Sequence, residues 1–239
     1  MADLQGNKLA EGRGWDNAYR VQAATSSNPD GPDYLWKEGP IEFLNDAELD
    51  TLMRREHVGH ILDAGAGDGR NSFALESRGY FVVGVDQSPT AVKLAAQRAI
   101  RGNRNRVVFA QDDVTDLRQG GPFDFVLCAD TLGQIDEPAL AIANFRRVLK
   151  PGGWLLFNVY TEQDGTYGVG RRIDRWNFEY KETLFKYFDE QMVKDLVVGM
   201  ENVRIQVATW LDPPHGDFRP EPHVHNSFVV LAQNPREEA

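Results

Sequence analysis

The strongest constraint on the fold is a short apolar run that ends in three alternating glycines, Ile61-Leu62-Asp63-Ala64-Gly65-Ala66-Gly67-Asp68-Gly69-Arg70. A run of strand length that passes straight into glycines reads as a buried strand feeding a tight turn. Glycines at alternate positions let the backbone approach a ligand closely. A helix is expected next, over 71–78, with Gly79 as its stop. Its N-terminus points at the same place as the glycines.

The alternation continues downstream. Residues 80–85 form a second β-rich run. Ser88 and Pro89 supply the cap and first-turn proline of another helix. Val92, Ala95, Ala96 and Ala99 then follow the spacing of one buried helix face. Residues 107–110 and 123–129 are further strands, 138–149 a helix, and 154–160 a fifth strand, with Lys150-Pro151-Gly152-Gly153 breaking the helix. Strands alternating with helices imply right-handed crossovers and a parallel sheet. Near-continuous apolar strands agree, because parallel strands are covered on both faces. After a helix over 191–198, strands at 203–211 and 224–232 have no helix between them. They pair most simply as an antiparallel hairpin. Their link, residues 212–223, holds four prolines and one glycine.

The expected architecture is α/β, Rossmann-like, largely parallel with an antiparallel C-terminal hairpin. Residues 1–57 read as a helical lead-in with a loop at 25–32. Residues 58–239 read as the main domain, with 161–181 as a poorly patterned loop or cap over the substrate. Open α/β sheets place ligands at that edge.

Two cofactor classes use such a glycine turn. A dinucleotide site wants G-x-G-x-x-G, so that pyrophosphate meets bare amides. Here the third glycine comes one position early and Arg70 fills the slot. Asp63 before the glycines and Asp68 among them suit a ligand carrying an ammonium and a sulfonium, as S-adenosylmethionine does. Val83-Gly84-Val85-Asp86 ends the second strand with a carboxylate able to accept both ribose hydroxyls in either class. Gln111-Asp112-Asp113-Val114 offers an acceptor for an adenine amino group beside an apolar residue, or is simply an acidic turn. Ala129-Asp130-Thr131-Leu132-Gly133-Gln134 lies at the same sheet edge, near the expected methyl group.

These motifs, in this order, resemble those of class I S-adenosylmethionine-dependent methyltransferases. The glycine-rich, acidic and adenine motifs are joined by Arg147-Val148-Leu149-Lys150-Pro151-Gly152-Gly153 before the fifth strand. The resemblance covers about residues 58–153. It implies that Asp63, Gly65 and Gly67 hold the methionine part, that Asp86 binds ribose, and that Asp113 and Val114 bind adenine, with Gln87 and Ala129 also against the cofactor. Many members have a histidine where Gln134 stands. Gly69-Arg70-Asn71-Ser72, Gly79-Tyr80 and Trp15-Asp16-x-x-Tyr19 resemble the tellurite-resistance and thiopurine methyltransferase branch. In that branch an N-terminal helix closes over the cofactor. Trp15 and Tyr19, four apart, would share one helix face, either against the cofactor or as an aromatic anchor.

The expected chemistry is methyl transfer to an O, N or S nucleophile of a small molecule. A general base is required only if the acceptor is protonated at working pH. His223 and His225, two apart on a strand, share a face, and His215 is near. They read as solvated hairpin histidines, as acceptor-orienting groups or bases, or as a metal pair. A metal would need a third ligand, such as His215 or Glu221, that sequence cannot place, so none is assigned. Asp130, Tyr34 and Tyr167 are further acceptor-side candidates.

A net charge of −10 disfavours phosphate backbones, and Arg101, Arg104 and Arg106 read as a solvated loop rather than a basic patch. No nucleic acid or membrane partner is expected. Cys128 is the single cysteine and reads as a small buried hydrophobe. A cytoplasmic monomer or homodimer is the default. Three rival readings are a nicotinamide-dependent oxidoreductase, a non-catalytic cofactor-binding protein of the same fold, and a methyltransferase acting on a macromolecule.

Overall fold

Each β-rich run becomes a strand and each amphipathic run a helix. The computed structural model describes residues 4–25, 34–35, 39–215 and 217–236. In chain order the elements begin with α1 (Leu4–Thr25), α2 (Ala47–Arg55), β1 (His60–Ala64), α3 (Arg70–Ser77), β2 (Phe81–Asp86) and α4 (Pro89–Arg101). They continue with β3 (Val107–Gln111), β4 (Phe123–Cys128), α5 (Pro138–Val148), β5 (Leu149–Tyr160), β6 (Arg171–Arg172), β7 (Asn177–Tyr180) and β8 (Thr183–Lys186). The last are α6 (Glu190–Leu196), β9 (Glu201–Asp212) and β10 (His223–Gln233).

The main sheet runs β3-β2-β1-β4-β5-β10-β9. β1 to β5 are parallel, and β10 is antiparallel to both β5 and β9. Successive strand residues feed opposite faces. Leu62, Val126 and Phe157 enter one buried cluster with Phe145 of α5, while Ile61, Phe125 and Leu156 enter another with Leu75 of α3. Both faces are therefore covered, as the apolar strands require.

Local signals work as expected at several ends. Ser88 caps α4 by accepting from the Ala91 amide at 3.1 Å. α2 has a cap that the sequence reading did not single out, Asp46, which accepts from the Glu48 and Leu49 amides. Gly79 follows α3 with a φ of 99°. Cys128 is fully buried, which raises its thiol pKa. The loop carrying Arg101, Arg104 and Arg106 is largely exposed, as expected. Arg104 bonds Glu76, Ser77 and the Phe73 carbonyl, and Arg106 bonds the Gly79 carbonyl.

Two expectations change, and a third is untested. Lys150-Pro151-Gly152-Gly153 does end α5, but β5 already begins at Leu149, with an irregular pairing opposite Phe123 and Phe125. The expected loop at 161–181 contains β6 and β7, which continue through β8 to Lys186 as a separate three-stranded antiparallel sheet. The loop read over 25–32 starts at the last residue of α1 and otherwise lies outside the described residues.

Trp15 and Tyr19 of α1, Tyr160, Phe178, Phe185, Tyr187 and Phe218 form a third cluster. It joins the lead-in, the small sheet and the β9–β10 link above the C-terminal ends of the parallel strands. Among the described residues no helix is long and apolar enough to cross a membrane.

Candidate functional site

The strand order reverses between β1 and β4, so the loops leaving them diverge and open a crevice. A cavity lies there, lined by the β1–α3 turn, the ends of β2, β3 and β4, and α1.

The glycine turn is built by tertiary contact as well as by conformation. The Gly65 and Ala66 amides donate to the Val85 carbonyl at 2.8 and 2.9 Å. Gly65 has a φ of 78°, and a Cβ there would lie 2.0 Å from Thr131 Oγ1. A Cβ on Gly67 would lie 2.3 Å from the Tyr19 hydroxyl. The turn is thus pressed between the β4 loop and α1.

Of the residues expected to bind cofactor, Gly65, Gly67, Asp86, Gln87, Asp113, Val114, Ala129, Trp15 and Tyr19 all line this cavity. Asp63 does not. It is buried beneath the turn and accepts a 2.5 Å bond from the Ser72 hydroxyl. Burial pushes its carboxyl up to about 6 despite that bond. Asp68 lines the cavity, but Arg98 meets its Oδ2 at 2.9 Å and the Leu35 amide donates to the same oxygen at 2.9 Å. The two carboxylates flanking the turn therefore hold the turn and the lead-in.

Asp86 ends β2 and accepts from the Gly67 amide at 2.8 Å and the Ser88 amide at 2.9 Å. Burial pushes its carboxyl up to about 6, against the lowering effect of the Ser88 and Gly67 amides. Asp113 uses Oδ1 to cap the turn at Thr115, which leaves Oδ2 for a ligand. Asp16 of α1 accepts from the Ser88 hydroxyl at 2.8 Å and the Thr90 amide at 3.1 Å. The lead-in helix is thereby tied to the N-terminus of α4, beside Asp86. Burial alone would raise the Asp16 carboxyl, but the Thr90 and Ser88 bonds and Arg20 lower it.

Two further groups on the wall were not among the residues expected to bind cofactor. Arg70, noted in the sequence only as filling a glycine slot, is 6% exposed and pairs with Asp130 Oδ2 at 3.1 Å. Its other terminal nitrogen is buried with no hydrogen-bond partner among the described residues. Asn71 lines the wall beside it and accepts from the Ile41 amide. A cation at the first position of a helix, facing a cavity, marks a place for an anionic ligand group.

On the acceptor side, Asp130 lines the cavity with a φ of 51°. Its carboxylate already accepts from Arg70, from Asn158 at 2.8 Å and from the Tyr160 hydroxyl at 3.2 Å. Three donors suit a positioning group better than a base. His223 and His225 do not reach the cavity wall, because Tyr160 stands between, with its ring 4.6 Å from His225 and nearly parallel to it. Burial, then the His225 charge, push His223 down to about 4, far below a useful base at neutral pH. Tyr34 and Tyr167 also stay off the wall: Tyr34 packs under Arg98 and the Tyr167 hydroxyl donates to the Arg175 carbonyl. Gln134 is on the wall.

Residues 62–157 match the family described as Methyltransferase domain. A ubiquinone biosynthesis O-methyltransferase of Coxiella burnetii is 29% identical over 133 residues, which cover 55% of this chain and 57% of that protein. The chain thus spans little more than half the length of that relative. The 1,6-didemethyltoxoflavin-N1-methyltransferase of Burkholderia thailandensis, solved with 1,6-didemethyltoxoflavin and S-adenosylhomocysteine, superposes at a TM-score of 0.62 with 18% identity, over 98% of this chain and 92% of its own. TehB of Haemophilus influenzae superposes at 0.59 with 16% identity, over 79% of this chain and 62% of its own. At such identities a superposition speaks for the fold and does not select a branch. The fold is Rossmann-like, mostly parallel with an antiparallel C-terminal pair, and within it residues 62–157 match a methyltransferase domain.

Proposed function

We propose that this chain transfers the methyl group of S-adenosylmethionine to an oxygen, nitrogen or sulfur atom of a small molecule. One observation carries the reading. A single cavity gathers the glycine turn, Asp86, and Asp113 with Val114 of the matched methyltransferase domain, and the Trp15 and Tyr19 rings of α1. Bound there, the cofactor supplies an already activated methyl. The chain's part is to hold both reactants in line and exclude water. Asp86 accepts the ribose hydroxyls, Asp113 the adenine amino group, and Val114 packs on the ring. Arg70 takes the methionine carboxylate. α1 closes over the cofactor, and the insertion with its small sheet walls the acceptor side. The names of the Coxiella and Burkholderia proteins support a small acceptor. The net charge of −10 supports it too, since it disfavours a phosphate-backbone partner.

Isothermal titration with S-adenosylmethionine and S-adenosylhomocysteine tests the reading. Micromolar binding of both is expected. A folded protein that binds neither overturns it.

Two further results are expected. Arg70→Gln should weaken S-adenosylhomocysteine about tenfold or more, the size of a lost charge-assisted bond. It should leave 5′-methylthioadenosine, which lacks the carboxylate, unchanged; equal losses for both ligands would remove the assigned role. Affinity should also fall with pH. The ionised Asp86 is the better acceptor, and with its carboxyl at about 6 the ionised fraction drops about fourfold between pH 7.5 and 5.5. Binding at pH 5.5 should be weaker by about that factor in the wild type. Asp86→Asn, having nothing to titrate, should lose this pH dependence.

A further inference from the structure

Outside the cavity, the β9–β10 end gathers four side chains of metal-ligating type. Asp212 closes β9 and His223 opens β10, and the two are cross-strand partners. His225 follows on the same face. His215 is brought back from the proline-rich link by a turn in which its amide donates to the Arg219 carbonyl at 2.7 Å. One ligand atom from each of Asp212, His215, His223 and His225 lies within 4.8 Å of the others. His223 Nε2 is 3.1 Å from His225 Nε2, and Asp212 Oδ2 is 3.5 Å from His215 Nε2 and 3.6 Å from His225 Nε2. A tetrahedral zinc with ~2.0–2.1 Å bonds has donor–donor edges of about 3.3–3.4 Å. The three measured edges bracket that value.

Proton placement strengthens the case. His225 Nδ1 faces Asp164 Oδ2 at 2.9 Å, and His223 Nδ1 faces the Glu221 carbonyl at 3.1 Å. Neither oxygen can donate, so each Nδ1 carries hydrogen and each Nε2 is turned toward the cluster. Asp164 is itself held by Thr166 and the Asn226 amide, so it fixes the His225 ring as carboxylates do behind metal-bound histidines. Asp212, His215 and His225 are each at most 5% exposed. Three imidazoles and one carboxylate suit a first-row transition metal of the zinc type and not magnesium or calcium.

We propose that Asp212, His215, His223 and His225 bind one divalent transition-metal ion, zinc in the first instance. With four protein ligands the site is closed, so the ion clamps the hairpin end and does not act as a Lewis acid on substrate. Its reach toward the cavity is mechanical. The clamped His225 ring supports Tyr160, whose hydroxyl donates to Asp130 on the cavity wall.

The test uses the full chain, with any affinity tag removed and metal stripped by a chelator. Zinc is titrated by calorimetry, cobalt by visible absorption, and S-adenosylhomocysteine in parallel as an independent readout. One equivalent of zinc, a raised Tm and the absorption of tetrahedral cobalt are expected. His223→Ala, at the half-exposed ligand, should weaken the metal at least tenfold, and His60→Ala should not. A folded wild-type chain that takes up no stoichiometric zinc or cobalt overturns the proposal, the His223–His225 pair then sharing a proton instead. Metal binding without S-adenosylhomocysteine binding would sustain the clamp and remove the cofactor reading, so the two stand apart.

Discussion

Replacing Gly65 by valine is expected to abolish cofactor binding and to destabilise the fold by about 3 kcal/mol or more, combining a left-handed backbone with a steric overlap. Gly65 sits at a φ of 78°, where an L side chain is strained. Its Cβ would also lie 2.0, 2.7 and 2.8 Å from Oγ1, Cγ2 and Cβ of Thr131. Because the last of these belongs to the root of the side chain, rotation of Thr131 cannot relieve the overlap. The β4 loop must move, and that loop carries Ala129 and Asp130 of the cavity wall. Thermal or denaturant unfolding reads the stability and calorimetry the binding. A variant with wild-type Tm and affinity would mean that the turn is not held as described.

Asp86→Ala should weaken S-adenosylmethionine and S-adenosylhomocysteine roughly 10²-fold or more, since hydrogen bonds to a charged group are worth about 1.5–3 kcal/mol each. Two ribose hydroxyls would lose their acceptor. The Gly67 and Ser88 amides would lose theirs as well, so the turn itself should loosen. Asp86→Asn separates the effects, because its amide oxygen still accepts while the charge is gone. An intermediate loss is expected for asparagine. Equal affinity in all three proteins would place the nucleoside elsewhere.

Much of the fold was legible because it rests on local rules. Ser88-Pro89 starts α4, Gly79 stops α3, and apolar runs between glycine-rich turns became β1, β2 and β4. The small sheet was not legible. Its β7–β8 hairpin turns through Lys181 and Glu182, both with positive φ and neither the glycine or asparagine that signals such a turn. β5 was read short because Pro151 and the two glycines mark a break, while pairing with β4 carries the chain through it.

The cavity wall was largely legible, since Gly65, Gly67, Asp86, Asp113 and Val114 follow strand ends, and strand ends of one parallel sheet meet at one edge. Trp15 and Tyr19 reached the same cavity from a separate helix, as their four-residue spacing allowed. What the sequence alone determined was therefore the periodic part: the strand–helix alternation, the antiparallel last pair, and the turn that calls for glycine. Only the tertiary structure decided where charge goes. Asp68 is taken by Arg98, Asp130 by Arg70, and His225 by Asp164, at separations of 30, 60 and 61 residues. It also turned His223 and His225 away from the cavity and toward Asp212 and His215. Spacing along a chain sets which face a side chain occupies. Which partner waits on that face depends on loops closed across the whole sheet.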